Sequence, residues 1–547
     1  MKFTKTLLSA ALLSATTAMA YEADKTYRFT VLHTNDTHGH FWKNDKSEYG
    51  FAAQKTLIDT IRKEVESKDG AVIILNAGDF NTGVPESDMQ NAKPDIEGMN
   101  MLGYEAAVLG NHEFDFPLQI LELQEKWATF PFLSANVINK KTKKPLVKPY
   151  IILNKNGLKV AVVGLTTEDT AKLGNPDVTD HVIFKNPIET AKATLAEINK
   201  KEKPDVRIAL THMGYYPNAQ HGSNAPGDVT LARTLEKGAF DLIIGGHTHD
   251  TVCVDEKGEF KVKYTPGEEC KPDFQNGTWI VQAGEWAKYL GRADFEFKNG
   301  ETKLVKYELI PINLKQRIKL ADGKSEYKLY QAEITEDKAV FEHLKKYQDE
   351  GDKLLGVKVG DIKGKLEGDR KIIRFHQTNL GRLIAQSQME RVKADVGVMN
   401  SGGIRASLNE GATTYKDLLT VQPFGNMIST VDLTGKELIE FLNVVALKEP
   451  DTGAYPQFAG ISMVVDRTAK QVSDVKIGGQ PIDLAKKYKV SIPDYCANGG
   501  DGYPLLKKHP SYVNTGFIDA EMLKKYFEEN SPIDASKYDP KDDIIFK

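Results

Sequence analysis

Seven side chains that can bind metal ions lie in five short loops, each shortly after a run of apolar residues. Four of the loops read DTHGH, GDF, GNHEFD and GGHTH, and the fifth reads THMG. The runs before them (FTVLH, AVIIL, AAVLG, FDLII and VRIAL) have the length and the β-branched content of buried strands. The side chains are Asp36, His38, Asp79, Asn111, His212, His247 and His249.

Together these side chains could hold two transition-metal ions. They offer oxygen and nitrogen ligands for both ions and a carboxylate that could bridge them. In open α/β folds, the loops at the carboxyl ends of the strands carry the chemistry. A single histidine after a strand is commonly an ordinary hydrogen-bonded loop residue, whereas five loops of the same design favour a metal site. Such a dinuclear site polarises a phosphoryl oxygen and activates a bound water.

The elements that must position these loops are strands that alternate with helices. Between Tyr27 and about Leu314, helical runs such as QKTLIDTIRKEV and PIETAKATLAEINK separate the strand-like runs, which indicates an α/β sandwich of layered sheets. The stretch from Glu333 to Leu355 is polar, helical and without proline. It could be a rigid connector between domains or an ordinary surface helix. The second half has its own regular structure, because a capping-box signature opens a helix at Thr434.

As a set, the motifs D-x-H, G-D, G-N-H-E-x-D, H and G-H-x-H resemble those of the calcineurin-like metallophosphoesterases. The remainder of the chain resembles, more narrowly, the bacterial periplasmic 5′-nucleotidase and UDP-sugar hydrolase family. This resemblance implies a four-layer α/β/β/α sandwich and a smaller C-terminal α+β substrate-binding domain, joined by a helix. We therefore expect a signal peptide over 1–20, a metallophosphoesterase domain over 21–334, a linker helix over 335–356 and a nucleotide-binding domain over 357–547.

The resemblance also implies two divalent metal ions, either zinc, manganese or cobalt, and gives each ligand a place. Asp79 is expected to bridge the ions. His249 is a point of variation, because this family can carry Gln there, and imidazole remains a competent ligand. His40, just past the first motif, is expected to lie outside the ligand set. The other ligands are expected to be Asp36, His38 and His249 at one ion, and Asn111, His212 and His247 at the second.

His112 and Asp115 follow Asn111 directly, and the resemblance makes them a catalytic pair. In the family this histidine faces the phosphate and the aspartate orients its ring. A carboxylate on one imidazole nitrogen fixes the tautomer and favours the charged form, which suits an anionic transition state. The alternative interpretation is that His112 only caps a helix.

Arginines, aromatic rings and one aspartate in the second half are expected to bind the substrate. Arginine forks match phosphate oxygens, and the glycines of NSGGIR allow a ligand to approach the backbone closely. Two of the rings lie where the family holds the base, and Tyr stacks as well as the Phe of close relatives. The alternative is core aromatics and a solvated arginine face. The predicted substrate-binding residues are Arg370, Arg374, Arg405, Phe424, Tyr495 and Asp501.

The first 20 residues, MKFTKTLLSAALLSATTAMA, predict a secretory signal peptide cleaved after Ala20 and export to a periplasm. No later apolar run is long enough to cross a bilayer, and the charged tail offers no anchor. With 72 basic and 76 acidic residues, and no basic stripe, a nucleic-acid polymer is not the expected partner. We expect a monomer that binds nucleotides and nucleotide sugars.

Three cysteines are present, and two of them flank a polar loop just after GGHTH. In an oxidising compartment Cys253 and Cys270 are expected to form a disulfide, although two free thiols are the alternative. Cys496 has no partner left and is expected to be a small buried apolar residue.

The expected activity is metal-dependent hydrolysis by an activated water. The substrates would be nucleoside 5′-monophosphates, cleaved to nucleoside and phosphate, and UDP-sugars, cleaved to UMP and sugar 1-phosphate. Rival activities of the same architecture are a 2′,3′-cyclic-nucleotide phosphodiesterase and an NAD pyrophosphatase. A rival from another class is a periplasmic nucleotide-binding protein without catalysis, against which the intact ligand set and the pair His112 and Asp115 argue.

Overall fold

The computed structural model describes residues 21–173, 176–222, 224–319 and 325–547. The predicted signal peptide and its cleavage site lie outside these residues. Within the described ranges, no helix combines the length and the apolar character that a membrane span requires.

The first half of the chain has four layers, in which two six-stranded sheets face each other between helices. Side chains alternate between the two faces of each strand. Val31 and Ile73 therefore lie in the core between the sheets, whereas Leu32 and Ile74 pack beneath the helix Phe51–Glu66. The predicted α/β/β/α architecture is confirmed.

Both sheets have parallel strands at the centre and antiparallel strands at an edge. The first sheet contains, in spatial order, Glu301–Pro311, Tyr289–Lys298, Tyr27–Thr34, Ala71–Asn76, Ala106–Val108 and Phe132–Leu133. The second contains Asp273–Gln275, Thr278–Val281, Leu242–Ile244, Val206–His212, Leu158–Thr166 and Tyr150–Lys155. Two small antiparallel pairs join Val137–Asn139 to Val182–Phe184 and Lys315–Lys319 to Ser325–Leu329. The helices are Phe51–Glu66, Pro85–Asp88, Lys93–Leu102, Leu118–Trp127, Thr170–Leu173, Pro176–Thr179, Pro187–Lys201 and Asp228–Thr234.

The five apolar runs predicted as strands are all strands of these two sheets. Three of them are neighbours in the first sheet, and two are neighbours in the second. Their pairing is parallel, so each strand delivers its carboxyl end, and the loop that follows, to the same edge. This topology gathers metal-capable loops that are far apart in the sequence.

The connecting helix, Lys338–Leu355, falls within the predicted linker 335–356. Asp337 caps it by accepting a hydrogen bond from Val340 N at 2.9 Å. Val340 and Leu344 are buried in the core of the first half, so the helix is packed against that half. The domain boundaries themselves remain predictions.

The second half is an α+β structure with its own core. The capping box predicted at Thr434 is confirmed, because its side chain and that of Glu437 each bond the other's backbone N–H. A five-stranded sheet contains Pro456–Ala459, Val396–Asn400, Lys487–Pro493, Met427–Thr434 and Val513–Ile518. Smaller sheets contain Gln480–Pro481, Gln471–Ile477, Ile461–Asp466 and Ile544–Phe546, and Gly411–Thr414, Lys358–Lys363 and Ile533–Asp534. The helices are Arg370–Ile373, Asn379–Arg391, Tyr415–Val421, Gly435–Val445, Asp494–Ala497 and Asp519–Asn530.

Candidate active site

The backbone of the five loops is unusual, because most of the predicted ligands adopt left-handed conformations. Non-glycine residues seldom have positive φ, and such residues cluster at functional sites where the surrounding structure holds them. The residues concerned are Asp36 (φ 49°), His38 (47°), Asp79 (53°), His247 (85°) and His249 (63°).

Asp36, His38 and His249 form one cluster of ligand atoms, all within 4.8 Å of one another. His38 Nδ1 faces the carbonyl oxygen of Thr82 at 2.8 Å, so its Nε2 is turned into the cluster. There it lies 3.1 Å from His249 Nε2, which is itself 3.3 Å from Asp36 Oδ1. Two imidazole nitrogens and a carboxylate oxygen that converge in this way fit a cation with nitrogen and oxygen ligands.

A second cluster contains Asp79, His212 and His247. His212 Nδ1 faces the Ala77 carbonyl at 2.7 Å, and its Nε2 lies 2.9 Å from Asp79 Oδ2. Asn111 Oδ1 joins the cluster at 2.8 Å from His247 Nδ1.

Asp79 lies between the two clusters. Its Oδ2 is 2.9 Å from His212 Nε2 in one cluster and 3.9 Å from His38 Nε2 in the other. All seven predicted ligands are therefore brought together, and the carboxylate of Asp79 is the group that both clusters share. The donor set fits two divalent ions that share one carboxylate.

Electrostatics act in opposite directions on the histidines of the two clusters: the pKa values of His38 and His247 are lowered, whereas burial is outweighed by nearby carboxylates, which raise the pKa of His249 and raise that of His212 to about 10. Burial, helped by His249, holds the pKa of His38 well below its ordinary value, and burial with His212 does the same to the pKa of His247. Neutral imidazole is the metal-binding form. Burial opposes the charge of Asp79, but His212 and the other nearby histidines outweigh it and hold the pKa of Asp79 well below its usual range.

Glu113 supports the Asp79 loop, a role that we did not predict. Its buried carboxylate accepts hydrogen bonds from the backbone N–H groups of Asp79 (3.1 Å), Phe80 (3.1 Å), Asn81 (3.2 Å) and Gly110 (2.6 Å). Hydrogen bonds to backbone N–H groups do not depend on which residue types form the loop, so the loop sequence does not reveal them. The only signal in the sequence is the position of Glu113 within GNHEFD.

Gly110 is required by the close approach of the two loops. A Cβ atom at this position would lie 2.1 Å from Asp79 Oδ1. No side chain could be accommodated there without displacing the shared carboxylate.

His112 and Asp115 form the predicted pair, with His112 Nδ1 2.6 Å from Asp115 Oδ2. Thr82 Oγ1 donates to the same carboxylate oxygen at 2.8 Å. Burial disfavours the imidazolium, but Asp115 and Asp79 outweigh it and raise the pKa of His112. His112 is the first residue of a short 3₁₀ helix, His112–Phe114, but the residue at the N-cap position is Asn111, whose side chain makes no capping hydrogen bond to this helix. The ring of His112 instead faces Asp115. Ligand spacing alone also groups it with His38 and Asp79.

The second half of the chain reaches this site through Phe424. Its ring stacks on the ring of His112, with centroids 5.8 Å apart and planes inclined by 16°. The guanidinium of Arg405 lies 5.6 Å from the centroid of the Phe424 ring. An aromatic face and a cation are thus placed beside the predicted catalytic pair.

Tyr495 and Asp501 lie together at the same junction. The Tyr495 hydroxyl is 2.9 Å from Asp501 Oδ1 and 3.2 Å from the carbonyl oxygen of Leu173 in the first half. Asp501 Oδ2 accepts a hydrogen bond from Asn400 Nδ2 at 2.8 Å. Asn400, at the end of a buried strand, is a neighbour that we did not predict.

The three predicted arginines are close enough to repel one another. Burial, with the positive charges of Arg370 and Arg405, lowers the pKa of Arg374 well below its ordinary value, and burial with Arg370 lowers that of Arg405. Acidic groups offset this repulsion only in part: Asp501 and Asp451 act on Arg374, and Asp115 and Asp79 act on Arg405. Such a group of cations is suited to an anion with several oxygens.

Comparison with known proteins places this geometry in a family. The family model for calcineurin-like phosphoesterases matches residues 29–251, and that for the 5′-nucleotidase C-terminal domain matches 358–508. A 5′-nucleotidase of Vibrio vulnificus is 54% identical over 99% of this chain and 99% of its own length. Protein UshA of Escherichia coli is 54% identical over 99% of this chain and 98% of its own.

The chain belongs to the 5′-nucleotidase family.

The two family matches divide the site between them. All seven predicted metal ligands and the pair His112 and Asp115 lie in the calcineurin-like segment, and all six predicted substrate residues lie in the 5′-nucleotidase C-terminal segment. The solved structure of a 5′-nucleotidase precursor from Thermus thermophilus shares the fold, with a TM-score of 0.75 and 28% identity over 95% of this chain and 99% of that one. The family match and the ligand clusters together indicate divalent metal ions.

Proposed function

We propose that this member of the 5′-nucleotidase family hydrolyses nucleoside 5′-monophosphates to nucleoside and phosphate, and UDP-sugars to UMP and sugar 1-phosphate. The observation that carries the proposal is the junction of the two halves. A stacking ring and three arginines meet a dinuclear ligand set and a histidine of raised pKa there. The ring would hold a base, the arginines would bind a phosphate, and the ligand set with the histidine would act on the attacked phosphorus, so one substrate needs all of them at one place.

The metal ligands are proposed as the sequence assigns them, with Asp79 shared. When bound, two divalent ions supply Lewis-acid activation of the attacking water and of a phosphoryl oxygen. Zinc, manganese and cobalt all suit the imidazole, carboxylate and amide ligands.

His112 is proposed to stabilise the charge that develops on the phosphoryl group. The Asp115 carboxylate holds the Nδ1 proton, so Nε2 is the nitrogen that can donate to a phosphoryl oxygen. Thr82 also donates to the same carboxylate oxygen. The side chains are thus set before the substrate arrives, which is what makes such stabilisation effective.

The second half is proposed to select nucleotides. Phe424 and Tyr495 would hold the base between two rings, because every base has a face that can stack. Arg370, Arg374 and Arg405 would bind the phosphates, and Asp501 would accept hydrogen bonds from the ribose or the base. Two phosphoryl groups of a UDP-sugar would gain from the same cluster of arginines.

A substrate panel tests the proposal. Cleavage of UMP, AMP, UDP-glucose, 2′,3′-cyclic AMP and NAD would be followed by separating and identifying the products, with Mn²⁺, Co²⁺ or Zn²⁺ and without metal. We expect metal-dependent release of nucleoside and phosphate from the 5′-monophosphates, and of UMP and glucose 1-phosphate from UDP-glucose. Faster cleavage of the cyclic nucleotide or of NAD would favour the rival activities, and no cleavage of any compound would favour a binding protein.

Asp79→Asn provides the matched variant for this panel. It should abolish turnover, because one carboxylate must serve both ions. Asp59→Asn is the control, since Asp59 lies on the surface helix Phe51–Glu66 and pairs with Lys55. Near wild-type turnover by Asp79→Asn, with both metals bound, would contradict the shared role.

We further propose that the chain is exported to the periplasm, loses residues 1–20 and acts as a monomer. The disulfide between Cys253 and Cys270 supports an oxidising compartment. N-terminal sequencing of the mature protein and its mass in solution test both statements. A mature chain that begins elsewhere than Tyr21 would place the cleavage site at another residue.

A further inference from the structure

Glu285 lies directly behind one of the predicted metal ligands. Its Oε2 is 2.8 Å from His249 Nδ1. The other ring nitrogen, Nε2, points the opposite way, 3.3 Å from Asp36 Oδ1. A carboxylate only accepts hydrogen bonds, so the proton of a neutral His249 must sit on Nδ1. Nε2 then presents its lone pair to the first ligand cluster.

The segment that carries Glu285 is fixed on several sides. Lys288 Nζ is 2.7 Å from Glu285 Oε1, the carboxylate oxygen that does not face His249. Trp286 N donates to the Asp36 carbonyl at 2.8 Å, which ties this segment to the first metal-binding loop. The glutamate is therefore held against His249 by its own loop.

The backbone of this loop is also constrained. Trp286 and Ala287 both have positive φ, at 60° and 52°. The Trp286 ring stacks on His40 with centroids 4.6 Å apart, and Lys288 Nζ lies 3.9 Å from the centre of the same ring. Two successive left-handed non-glycine residues persist only where the surroundings over-determine them.

His249 differs in this respect from two other histidines of the site. His38 and His212 turn Nδ1 to backbone carbonyls, which are neutral acceptors. Of these three, His249 is the one whose Nδ1 faces a carboxylate. A carboxylate behind a ligating imidazole raises its basicity and fixes its orientation, and loss of such a partner commonly weakens metal binding.

We propose that Glu285 is a positioning residue that orients His249 and tightens binding of the ion held by Asp36, His38 and His249. The inference rests on the ligand assignment of the proposed function and adds a residue to it. It also explains how a histidine can serve at this position, because Nδ1 faces Glu285 while Nε2 faces the ligand cluster.

Metal affinity, measured directly, tests the proposal. Metal-free protein would be titrated with Co²⁺ and with Zn²⁺ against a competing chelator, and the visible spectrum of bound Co²⁺ would report the ligands. We expect Glu285→Gln to weaken one of the two sites by about 10- to 100-fold and to alter its Co²⁺ spectrum, with the second site unchanged. Glu296→Gln is the control, because Glu296 is a partly exposed residue of the strand Tyr289–Lys298 that pairs with Arg28.

A double-substitution cycle separates this role from a general effect on folding. In a His249→Ala background, Glu285→Gln should cost little further affinity, because the imidazole on which it acts is gone. An equal loss in both backgrounds would overturn the proposal, as would unchanged affinity in the single variant. If Glu285→Gln does not fold, Glu285→Asp in the wild-type and His249→Ala backgrounds gives the same comparison.

The outcome is distinguishable from failure of the proposed function. If the wild-type protein bound two ions and hydrolysed nucleotides while Glu285→Gln bound both ions equally well, only the present inference would fail. If the wild-type protein bound no metal at all, the ligand assignment itself would fail.

Discussion

At the scale of single residues, His112 offers a sharp kinetic test. We expect His112→Ala to lower kcat by about 10²- to 10³-fold and to change KM much less, because its contact strengthens only in the transition state. Steady-state kinetics on UMP, with metal content checked, would measure this. Asp115→Asn is the companion variant, since it removes the charge but keeps the shape. Equal changes in kcat and KM for His112→Ala would point to substrate binding instead.

The two rings of the second half give a second residue-scale prediction. Phe424→Ala and Tyr495→Ala should each weaken nucleotide binding by about 1–3 kcal/mol, seen as a raised KM. Hydrolysis of a small aryl phosphate, which has no base, should change little. Tyr495→Phe is the matched control, because it keeps the stacking face and removes only the hydroxyl that contacts Asp501 and Leu173. The same loss on both substrates would mean a folding defect.

Residue types alone could predict the ligands but not the residues behind them. Asp36 and His38, for example, are predicted as ligands by their spacing after a strand. Glu113 and Glu285, in contrast, act by holding a backbone loop and an imidazole ring, and carboxylates of that type are common on any surface. Their roles depend on distances between loops that are remote in the sequence, and only the structure gives those distances.

At the scale of elements, the loop closed by Cys253 and Cys270 carries a stability prediction. The two residues are joined by a disulfide across 17 positions, immediately after the loop that presents His247 and His249. Replacing both by serine should lower the free energy of unfolding by about 3 kcal/mol on the loop-entropy account. Urea unfolding would measure it, and reductant on the wild-type protein should give the same loss. Unchanged stability would show that the loop is ordered without the bond.

The strands were predictable because short β-branched runs ending in polar loops are typical of central parallel sheets. The surface against which the connecting helix packs could not be predicted from the sequence. Its sequence shows a polar helix with a few apolar residues, which fits both a free connector and a packed helix. In the structure Val340 and Leu344 are buried against the first half. Whether such a helix is packed or free depends on which surface lies beside it, and the helix sequence does not contain that information.

At the scale of the whole molecule, an ion pair joins the two halves. Lys416 Nζ contacts the carboxylate of Glu86, which is 0% exposed and also accepts from Gln348 Nε2 at 3.0 Å. Loss of the lysine would leave a buried charge without its cation, which is strongly destabilising. We expect Lys416→Met to loosen this arrangement of the halves.

The measurements follow from that expectation. Small-angle scattering should show a broader distribution of distances for Lys416→Met, and KM should rise for nucleotides but not for a small aryl phosphate, which needs only the first half. Glu86→Gln in the same chain should relieve the unpaired buried charge but should not restore the link between the halves, because the ion pair is still absent. If scattering and KM stayed at wild-type values, the ion pair would have no part in holding the halves together.

The stacking of Phe424 on His112 suggests that substrates are selected by the distance between their base and their phosphate. The ring expected to meet the base and the imidazole expected to meet the phosphorus stand 5.8 Å apart, centroid to centroid, and each is fixed in a different half. A molecule can contact both only if the reach from its base to its scissile phosphate fits the relative placement of these two rings. The enzyme would then accept different bases but would discriminate by the distance between base and phosphate. A nucleoside 3′-phosphate would place its phosphorus at the wrong distance and would be a poor substrate.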